Sequence, residues 1–197
     1  MGQRSTRSGK HSLRRQPNRD ASDVTAEPTD ELVEHVDPNG FVLEVVSRAQ
    51  IRAETLRHRC TYIFVLRTNG KLVVHRRAEW KSIYPGWWDV CFGGMCGVGE
   101  AWLPAAEREL AEEAGLTGET LREIGSVRYE EADGRVFGRA FVVITNALVE
   151  AVDGEVVEVD EVDIEAIAPW LGERLVCHDS RLAVLPLLLS ALPALLN

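Results

Sequence analysis

Long apolar runs and paired cysteines are both missing from this sequence of 197 residues. The longest mostly apolar stretch, residues 182–196, is interrupted by Pro186 and Pro193, so it predicts a packed C-terminal helix rather than a membrane span. The four cysteines show neither a C-x-x-C pair nor the ligand spacing of a zinc site (Cys60, Cys91, Cys96 and Cys177). We therefore expect reduced, mostly buried thiols in a cytoplasmic protein that is not attached to a membrane.

Basic residues are scarce outside the first 19 positions. The chain carries 22 basic and 31 acidic residues, a net charge of −9, yet residues 1–19 hold six basic residues and no acidic one. The remainder has 16 basic residues against the same 31 acidic ones, which argues against nucleic acid as the main partner. The tail also lacks the apolar core of a secretory signal. Its composition predicts a disordered basic tail over residues 1–29, followed by one globular domain over residues 30–197.

Carboxylates are concentrated in residues 94–116, which read G-M-C-G-V-G-E-A-W-L-P-A-A-E-R-E-L-A-E-E-A-G-L. If residues 102–114 are helical, then Glu109, Glu112 and Glu113 project from one face within a single turn. Such a cluster of like charges is unfavourable unless a counter-ion is supplied, and Mg²⁺ is a hard cation that prefers oxygen ligands. The segment therefore predicts a magnesium site.

The same helix is predicted to be amphipathic. Its packing face, opposite the carboxylates, carries apolar residues at helical spacing (Leu103, Ala106, Leu110 and Ala114). Gly115 is placed to end the helix in the left-handed conformation. Before the helix, Gly94 allows the backbone to approach a ligand, and its carbonyl is a further candidate metal ligand.

The whole segment has the form G-x5-E-x7-R-E-[apolar]-x-E-E-x-G-[apolar], with all nine specified positions matched. In this form it resembles the signature box of the Nudix hydrolase family, and the flanking elements extend the resemblance over residues 39–189. The resemblance implies an α/β fold, a Nudix-type α/β/α sandwich with a mixed β-sheet. It also implies that Glu109, Glu112 and Glu113 bind Mg²⁺, with Mn²⁺ as a substitute. Because homodimers are common among similar proteins, a homodimer is an open alternative to a monomer.

The catalytic roles expected within the box fall on two residues, Glu112 and Arg108. A diphosphate linkage carries negative charge on its non-bridging oxygens, and this charge repels an incoming water unless Mg²⁺ neutralises it. We expect Glu112 to take the proton of that water as general base. Arg108 is expected to brace a carboxylate, such as that of Glu100 or Glu112.

Three basic residues ahead of the box, Arg76, Arg77 and Lys81, are weaker candidates for contacts with substrate phosphates. A plain surface role is equally compatible with the sequence at each position. Three acidic residues after the box are candidates for one more metal ligand (Glu155, Glu158 and Glu161).

Within the family, the stretches G-K-L-V-V-H-R-R-A and Y-P-G-W-W-D-V look like the branch of hydrolases that resemble isopentenyl-diphosphate isomerase. The isomerases carry a catalytic cysteine and a metal-binding histidine at the places that Gly93 and Met95 occupy here. His58 matches another of their metal-ligand positions, but their later pair of glutamates is replaced around Val136. Protonation of an alkene needs the missing acid, whereas hydrolysis does not.

Periodicity and turn residues predict the remaining elements. Asn69-Gly70 indicates a hairpin turn, and Asp133-Gly134 indicates another. We expect a helix over 48–56, a C-terminal helix from Ser180, and strands over 40–46, 60–67, 71–76, 88–93, 124–131, 136–145 and 155–168.

The sequence as a whole therefore favours a Mg²⁺-dependent hydrolase. The expected reaction is cleavage of a phosphoanhydride (diphosphate) bond in a nucleoside diphosphate derivative or a related small molecule. Two alternatives stay open, an isopentenyl-diphosphate isomerase-like enzyme and a non-catalytic Nudix-like ligand-binding module. The module is disfavoured because every glutamate of the box is present.

Overall fold

The structure, a computed structural model, describes residues 29–195. The predicted disordered tail, residues 1–29, lies outside these residues except for Thr29. The Thr29 carbonyl accepts a hydrogen bond from the Ala49 N–H at 3.1 Å. The chain from Thr29 onward is therefore joined to the folded domain.

Strands and helices alternate along the described residues. The strands are β1 (Leu32–Val36), β2 (Val42–Ser47), β3 (His58–Leu66), β4 (Lys71–Arg77), β5 (Trp88–Asp89), β6 (Arg122–Glu131), β7 (Gly134–Ile144) and β8 (Val156–Asp163). The α-helices are α1 (Arg48–Glu54), α2 (Trp102–Ala114), α3 (Ile167–Gly172) and α4 (Leu185–Leu195), with a 3-10 turn at Ile164–Ala166 and a π-helical turn at Ser180–Val184.

The eight strands form one mixed sheet. Its main order is β2-β1-β3-β4-β5, while β8 pairs with β4 and the β6–β7 hairpin joins through β7. β7 runs parallel to β3 from the pair His58↔Val136 to the pair Leu66↔Ile144, and the other pairings between these strands are antiparallel. The predicted mixed sheet is confirmed.

Side chains of β3 alternate between two hydrophobic clusters, one on each face of the sheet. Phe64 belongs to the cluster that contains Leu188 of α4. Ile63 and Val65 belong to the cluster that contains Leu110 of α2. Because α2 and α4 cover opposite faces, the layers are helix, sheet and helix, as the resemblance implied.

Two predicted strands are shorter than expected. The strand over 88–93 is reduced to β5, because the Asp89 carboxylate accepts hydrogen bonds from the N–H groups of Val90 at 2.8 Å and Cys91 at 3.3 Å, so the local turn competes with the ladder. The segment 155–168 leaves the sheet after Asp163 and becomes helical. The short strand β1, which lies between β2 and β3 in the sheet, was not predicted.

The composition led to predictions about the cysteines and about membrane-spanning segments. The four cysteines are all buried free thiols, as predicted. Within residues 29–195, no helix has both the length and the apolar character needed to cross a membrane.

Candidate active site

Helix α2 occupies the predicted residues and ends at Gly115, which has a φ of 67° and donates its N–H to the carbonyls of Leu110 and Ala111. Ala106, Leu110 and Ala114 are buried, as the packing pattern required. Leu103 was wrongly placed on this face. It lies in the first turn and is 44% exposed, whereas the neighbouring Ala105 is buried.

The carboxylates of α2 differ in burial. Glu109 and Glu113 are buried, whereas the Glu112 side chain is 54% exposed. Burial raises the pKa of Glu109 to about 7. Burial, together with the negative charge of Glu109, also raises the pKa of Glu113. The helix therefore holds two carboxylates in surroundings that oppose their ionisation.

Arg108 binds three of the neighbouring carboxylates. It donates hydrogen bonds to Glu100 at 3.0 Å, to Glu109 at 2.7 Å and to Glu112 at 3.0 Å. It also donates to the Met95 carbonyl at 3.2 Å, which ties α2 to the preceding loop. Arg108 thus occupies the bracing position expected from the sequence.

Glu113 is held differently. Its Oε2 accepts the Gly93 N–H at 2.8 Å, and in the described part of the chain it forms no ion pair with a basic side chain. Burial and the charge of Glu109 therefore outweigh the Gly93 N–H and the charge of Arg77, which favour the ionised form of Glu113.

Two glycines allow the loop before α2 to lie against these groups. A Cβ on Gly94 would lie 2.6 Å from a carboxylate oxygen of Glu109, and a Cβ on Gly93, whose φ is 141°, would lie 2.0 Å from the Thr61 carbonyl oxygen. The Gly94 carbonyl accepts the Thr61 N–H at 3.0 Å. Its second lone pair is unused by this bond.

Across residues 29–195, no group of three or more His, Cys, Asp or Glu side chains is already gathered into a metal centre. The chemistry of the donors nevertheless fits a hard divalent cation. Glu109 and Glu113 offer oxygen ligands, both are buried, and both have a raised pKa. A cation beside them would favour their ionised forms.

These groups line a cavity of about 400 Å³, a size typical of small-molecule sites. Seven of the eight residues predicted for the site line it (Arg77, Lys81, Gly94, Arg108, Glu109, Glu112 and Glu113). Arg76 does not, because its guanidinium pairs with Glu158 at 2.9 Å and with Glu79 at 3.4 Å. The structure thus brings the carboxylates, Arg77 and Lys81 to one cavity and places Arg76 outside it.

Two basic residues that line the cavity lie at the end of β4 and in the loop that follows it. Arg77 donates to the Ile83 carbonyl at 3.3 Å, and its buried Nε has no hydrogen-bond partner among the described residues. Lys81 is buried and pairs with Glu155. Of the three late acids considered from the sequence, Glu155 alone lines the cavity.

Sequence reasoning missed a second set of cavity residues, Tyr62, Asp89 and Asp179. The Tyr62 hydroxyl donates to Asp179 Oδ2 at 2.9 Å. For Asp89 there was a signal, because it interrupts the apolar run of residues 87–92. Asp179 precedes the C-terminal helix, where an acidic residue is ordinary, so nothing in the sequence distinguished it.

Tyr84, Tyr129 and Asp133 form one side of the cavity, which we call the rim. Asp133 lies in the turn between β6 and β7 and binds the other two residues. Its carboxylate accepts hydrogen bonds from the hydroxyls of Tyr84 and Tyr129, each at 2.7 Å, and contacts His178 Nδ1 at 2.8 Å. Although burial opposes ionisation, these hydrogen bonds lower the pKa of Asp133. Tyr84 belongs to the 78–87 loop and has a φ of 53°, so the hydrogen bond holds a strained residue in place.

Comparisons with known proteins agree with this architecture. A family model described as the NUDIX domain matches residues 56–182. A Nudix hydrolase of Yersinia pestis is 41% identical over 116 residues, which cover 59% of this chain and 64% of that protein, slightly less than two thirds. The Nudix hydrolase YfcD of Escherichia coli K12 is 38% identical over 129 residues, which cover 66% of this chain and 72% of that protein.

A solved structure shares the fold. The crystal structure of DR0079 from Deinococcus radiodurans superposes with a TM-score of 0.66 at 21% sequence identity, covering 75% of this chain and 93% of that one. The match to the family model spans more than half of the 197 residues. The chain belongs to the Nudix family.

Proposed function

We propose that this Nudix protein hydrolyses a phosphoanhydride bond in a nucleoside diphosphate derivative or a related small molecule, with Mg²⁺ as cofactor. The observation that carries the proposal is the buried pair Glu109 and Glu113, which lines the cavity with raised pKa values. A fold gains nothing by burying two carboxylates in this way unless a ligand compensates their charge.

In this proposal Glu109 and Glu113 hold the cation, together with Glu112 and the Gly94 carbonyl, and Mn²⁺ substitutes for Mg²⁺. When bound, the cation neutralises the negative charge of the diphosphate oxygens. Glu155 lines the same cavity and is a further oxygen donor.

Two side chains of the protein, those of Glu112 and Arg108, are proposed to control the transfer of the proton from the attacking water. Glu112 is more exposed than Glu109 and Glu113, and in this proposal it receives a proton from the attacking water as the new phosphorus–oxygen bond forms and the bridging bond breaks. Arg108 contacts Glu109 and Glu112 and therefore acts as a positioning residue, because it fixes the directions of both carboxylates.

Arg77 and Lys81 are proposed to meet the phosphates of the substrate. The support is strongest for Arg77, whose buried Nε has no partner among the described residues, since an unpaired buried donor is costly and a phosphate oxygen would satisfy it. Lys81 lines the same cavity.

Isomerisation of isopentenyl diphosphate is not supported by the site. Gly93 and Met95 supply neither a thiol nor an imidazole at the two places where the isomerases have them. Room for a side chain is also missing at Gly93, because a Cβ there would lie 2.0 Å from the Thr61 carbonyl oxygen.

The test is phosphate release from a panel of diphosphate compounds, with Mg²⁺ and with a chelator. We expect Mg²⁺-dependent release from at least one compound, a loss of several orders of magnitude in Glu113→Gln, and no change in Glu107→Gln. Glu107 is an exposed glutamate of the same helix. Equal activity of the two variants would contradict the site assignment.

Isopentenyl diphosphate belongs in the panel, with its product analysed for isomer. Isomer without phosphate release would favour the isomerase alternative. Ligand-induced shifts in the thermal midpoint without turnover of any compound would favour the binding module.

A further inference from the structure

Exposed apolar side chains are concentrated around β2. Among residues 29–195, fourteen large apolar residues are exposed, and five of them lie in β1, in β2 or directly ahead of β2. We call these five residues the β2 patch (Leu32, Phe41, Val42, Leu43 and Val45). Their exposed fractions range from 46% at Val45 to 71% at Phe41. Single apolar residues on a surface are ordinary, whereas a contiguous group of them marks an interaction site.

The exposure of β2 conflicts with the sequence pattern of the strand. Residues 41–46 read F-V-L-E-V-V, a nearly continuous apolar run that is typical of a strand covered on both faces. In β2, however, Val46 is the one buried residue. Leu32 extends the patch onto β1, because its ladder partner is Ser47 and Val45 is two residues from that partner. The strand therefore has the composition of an interior strand at a surface position.

The position of β2 in the sheet accounts for this exposure. β2 is the first strand in the sheet order, so within the described residues one of its two edges has no neighbouring strand. The register of the β1–β2 ladder shifts where Val36 pairs with Val42, and such a bulge disturbs the regular row of backbone groups along an edge. The side chains of the β2 patch, more than the backbone, are thus available to a partner.

The charged side chains beside the β2 patch bind one another. Three such contacts have lengths of 2.9, 2.9 and 3.1 Å (Arg48 with Glu31, Arg59 with Glu34, and His35 with Glu44). Because these charges are compensated within the chain, they do not favour a partner of one charge sign, such as nucleic acid or an anionic membrane. An apolar surface is complementary to a copy of itself, which is the condition for a two-fold symmetric interface.

The chain ahead of the described residues does not match the β2 patch in composition. Residues 1–28 contain two branched aliphatic side chains, Leu13 and Val24, and no Phe, Trp or Tyr. Two such side chains are too few to cover five exposed apolar ones. A second copy of the chain is therefore the better-matched occupant.

The size of the patch can be compared with that of a dimer interface. Its exposed fractions correspond to about three whole side chains, or roughly 450 Å² of apolar surface at about 150 Å² for a large side chain. A typical interface buries about 800 Å² on each partner, of which a little more than half, about 450 Å², is apolar. The patch thus supplies the apolar part of one side of a typical interface.

We propose that the β2 patch joins two copies of this chain in a symmetric dimer. Each copy presents the same surface, so the two patches cover one another and the two β2 strands become buried, as their sequence pattern requires. The inference does not depend on the proposed function, because none of the five residues lines the cavity.

Sedimentation equilibrium of the full-length protein over a range of concentrations measures this association. We expect the wild-type protein to dimerise with a dissociation constant of about 10 μM or lower. Leu43→Glu places a charge in the interface and should raise the dissociation constant at least about 100-fold. Phe41→Glu makes the same change at the most exposed position of the patch, and it serves if Leu43→Glu fails to fold.

Leu148→Glu is the matched control, because Leu148 is 73% exposed and lies outside the patch. It should change the dissociation constant by less than about twofold. A second measurement needs no substitution. Amide hydrogen exchange in residues 41–46 should be slower at protein concentrations that favour the dimer than at concentrations that favour the monomer.

Three results would overturn the proposal. The first is a wild-type protein that stays monomeric at about 100 μM. The second is a dimer that persists in both Leu43→Glu and Phe41→Glu. The third is a dimer that Leu148→Glu dissociates to the same extent as these two variants.

A monomeric wild-type protein would leave two other occupants, which further measurements distinguish. Association that appears only when Leu13 and Val24 of the full-length chain are both replaced by serine would assign the patch to the residues ahead of the described chain. Binding of the wild-type monomer to phosphatidylserine vesicles, with loss of this binding in Leu43→Glu, would assign the patch to a membrane surface.

Discussion

Replacement of Glu109 by glutamine should stabilise the metal-free protein at neutral and alkaline pH. Burial raises the pKa of Glu109 from 4.5 to about 7 in the folded state. The folded wild-type protein therefore retains a proton at pH values where the unfolded chain has lost it. The stability from this proton is fully present below pH 4.5 and disappears as the pH rises to about 7.

The size of the effect follows from the shift in pKa. A change from 4.5 to about 7 corresponds to about 3 kcal/mol at about 1.4 kcal/mol per pKa unit. Glutamine keeps an acceptor for Arg108, which binds Glu109 at 2.7 Å, and it carries no charge to desolvate. The free energy of unfolding of Glu109→Gln should thus equal that of the wild-type protein near pH 4.5. Above pH 7 it should be larger by about 3 kcal/mol.

Denaturant unfolding in a chelator between pH 4.5 and 8.5 measures this difference. Burial lowers the pKa of both His58 and His75 to about 4, which by itself makes every variant less stable as the pH falls below 6.5. The comparison between variants removes this common contribution. Glu107→Gln, on the exposed face of α2, is the control and should follow the wild-type curve.

Two results would refute the reasoning. One is a constant difference between Glu109→Gln and the wild-type protein across the pH range. The other is a stabilisation of equal size in Glu107→Gln. Saturating Mg²⁺ should also reduce the advantage of Glu109→Gln, because the cation stabilises the wild-type carboxylates.

Three further predictions concern the supports of the site. Arg108→Lys should lower kcat by about 10- to 100-fold with little change in KM, because one ammonium group cannot bind three carboxylates in fixed directions; a change confined to KM would contradict a positioning role. Gly94→Ala should raise the Mg²⁺ concentration for half-maximal activity at least tenfold, since its Cβ would lie 2.6 Å from the Glu109 carboxylate. Gly99→Ala, at a φ of 70° with open space around it, should instead lower stability by about 1 kcal/mol and leave the Mg²⁺ requirement unchanged. Asp133→Asn should lower the free energy of unfolding by about 1 to 3 kcal/mol and speed proteolysis near Tyr84, and an unchanged cleavage rate would show that the rim does not depend on Asp133.

The sequence predicted α2 and its carboxylates closely, because the ends of a helix and the spacing of its side chains depend on residues that are near one another in the chain. Helical spacing alone places Glu109 and Glu113 on one face, and Gly115 marks the end of the helix. Arg76 shows the limit of the same reasoning. It is adjacent to Arg77 in the chain, but neighbouring residues of a strand point to opposite faces, and only the tertiary structure shows which of them meets the cavity.

The contact between Tyr62 and Asp179 and the contacts of Asp133 could not be predicted, because each joins distant segments of the chain. Tyr62 and Asp179 are 117 residues apart in the chain, and Asp133 joins groups from the 78–87 loop and from the segment ahead of α4. Neither contact leaves a periodic pattern in the sequence. The early end of β5 had a local cause, the hydrogen bonds of Asp89 to its own backbone, which compete with strand pairing.

The most direct test of the central claim is the binding of Mn²⁺ to the full-length protein, followed by electron paramagnetic resonance without any substrate. The account predicts saturable binding by the wild-type protein, competition by Mg²⁺, an affinity at least tenfold weaker in Glu113→Gln, and an unchanged affinity in Glu107→Gln. Equal affinity in all three proteins would contradict the assignment of the cation to the buried carboxylates of α2, and so would the absence of binding to the wild-type protein.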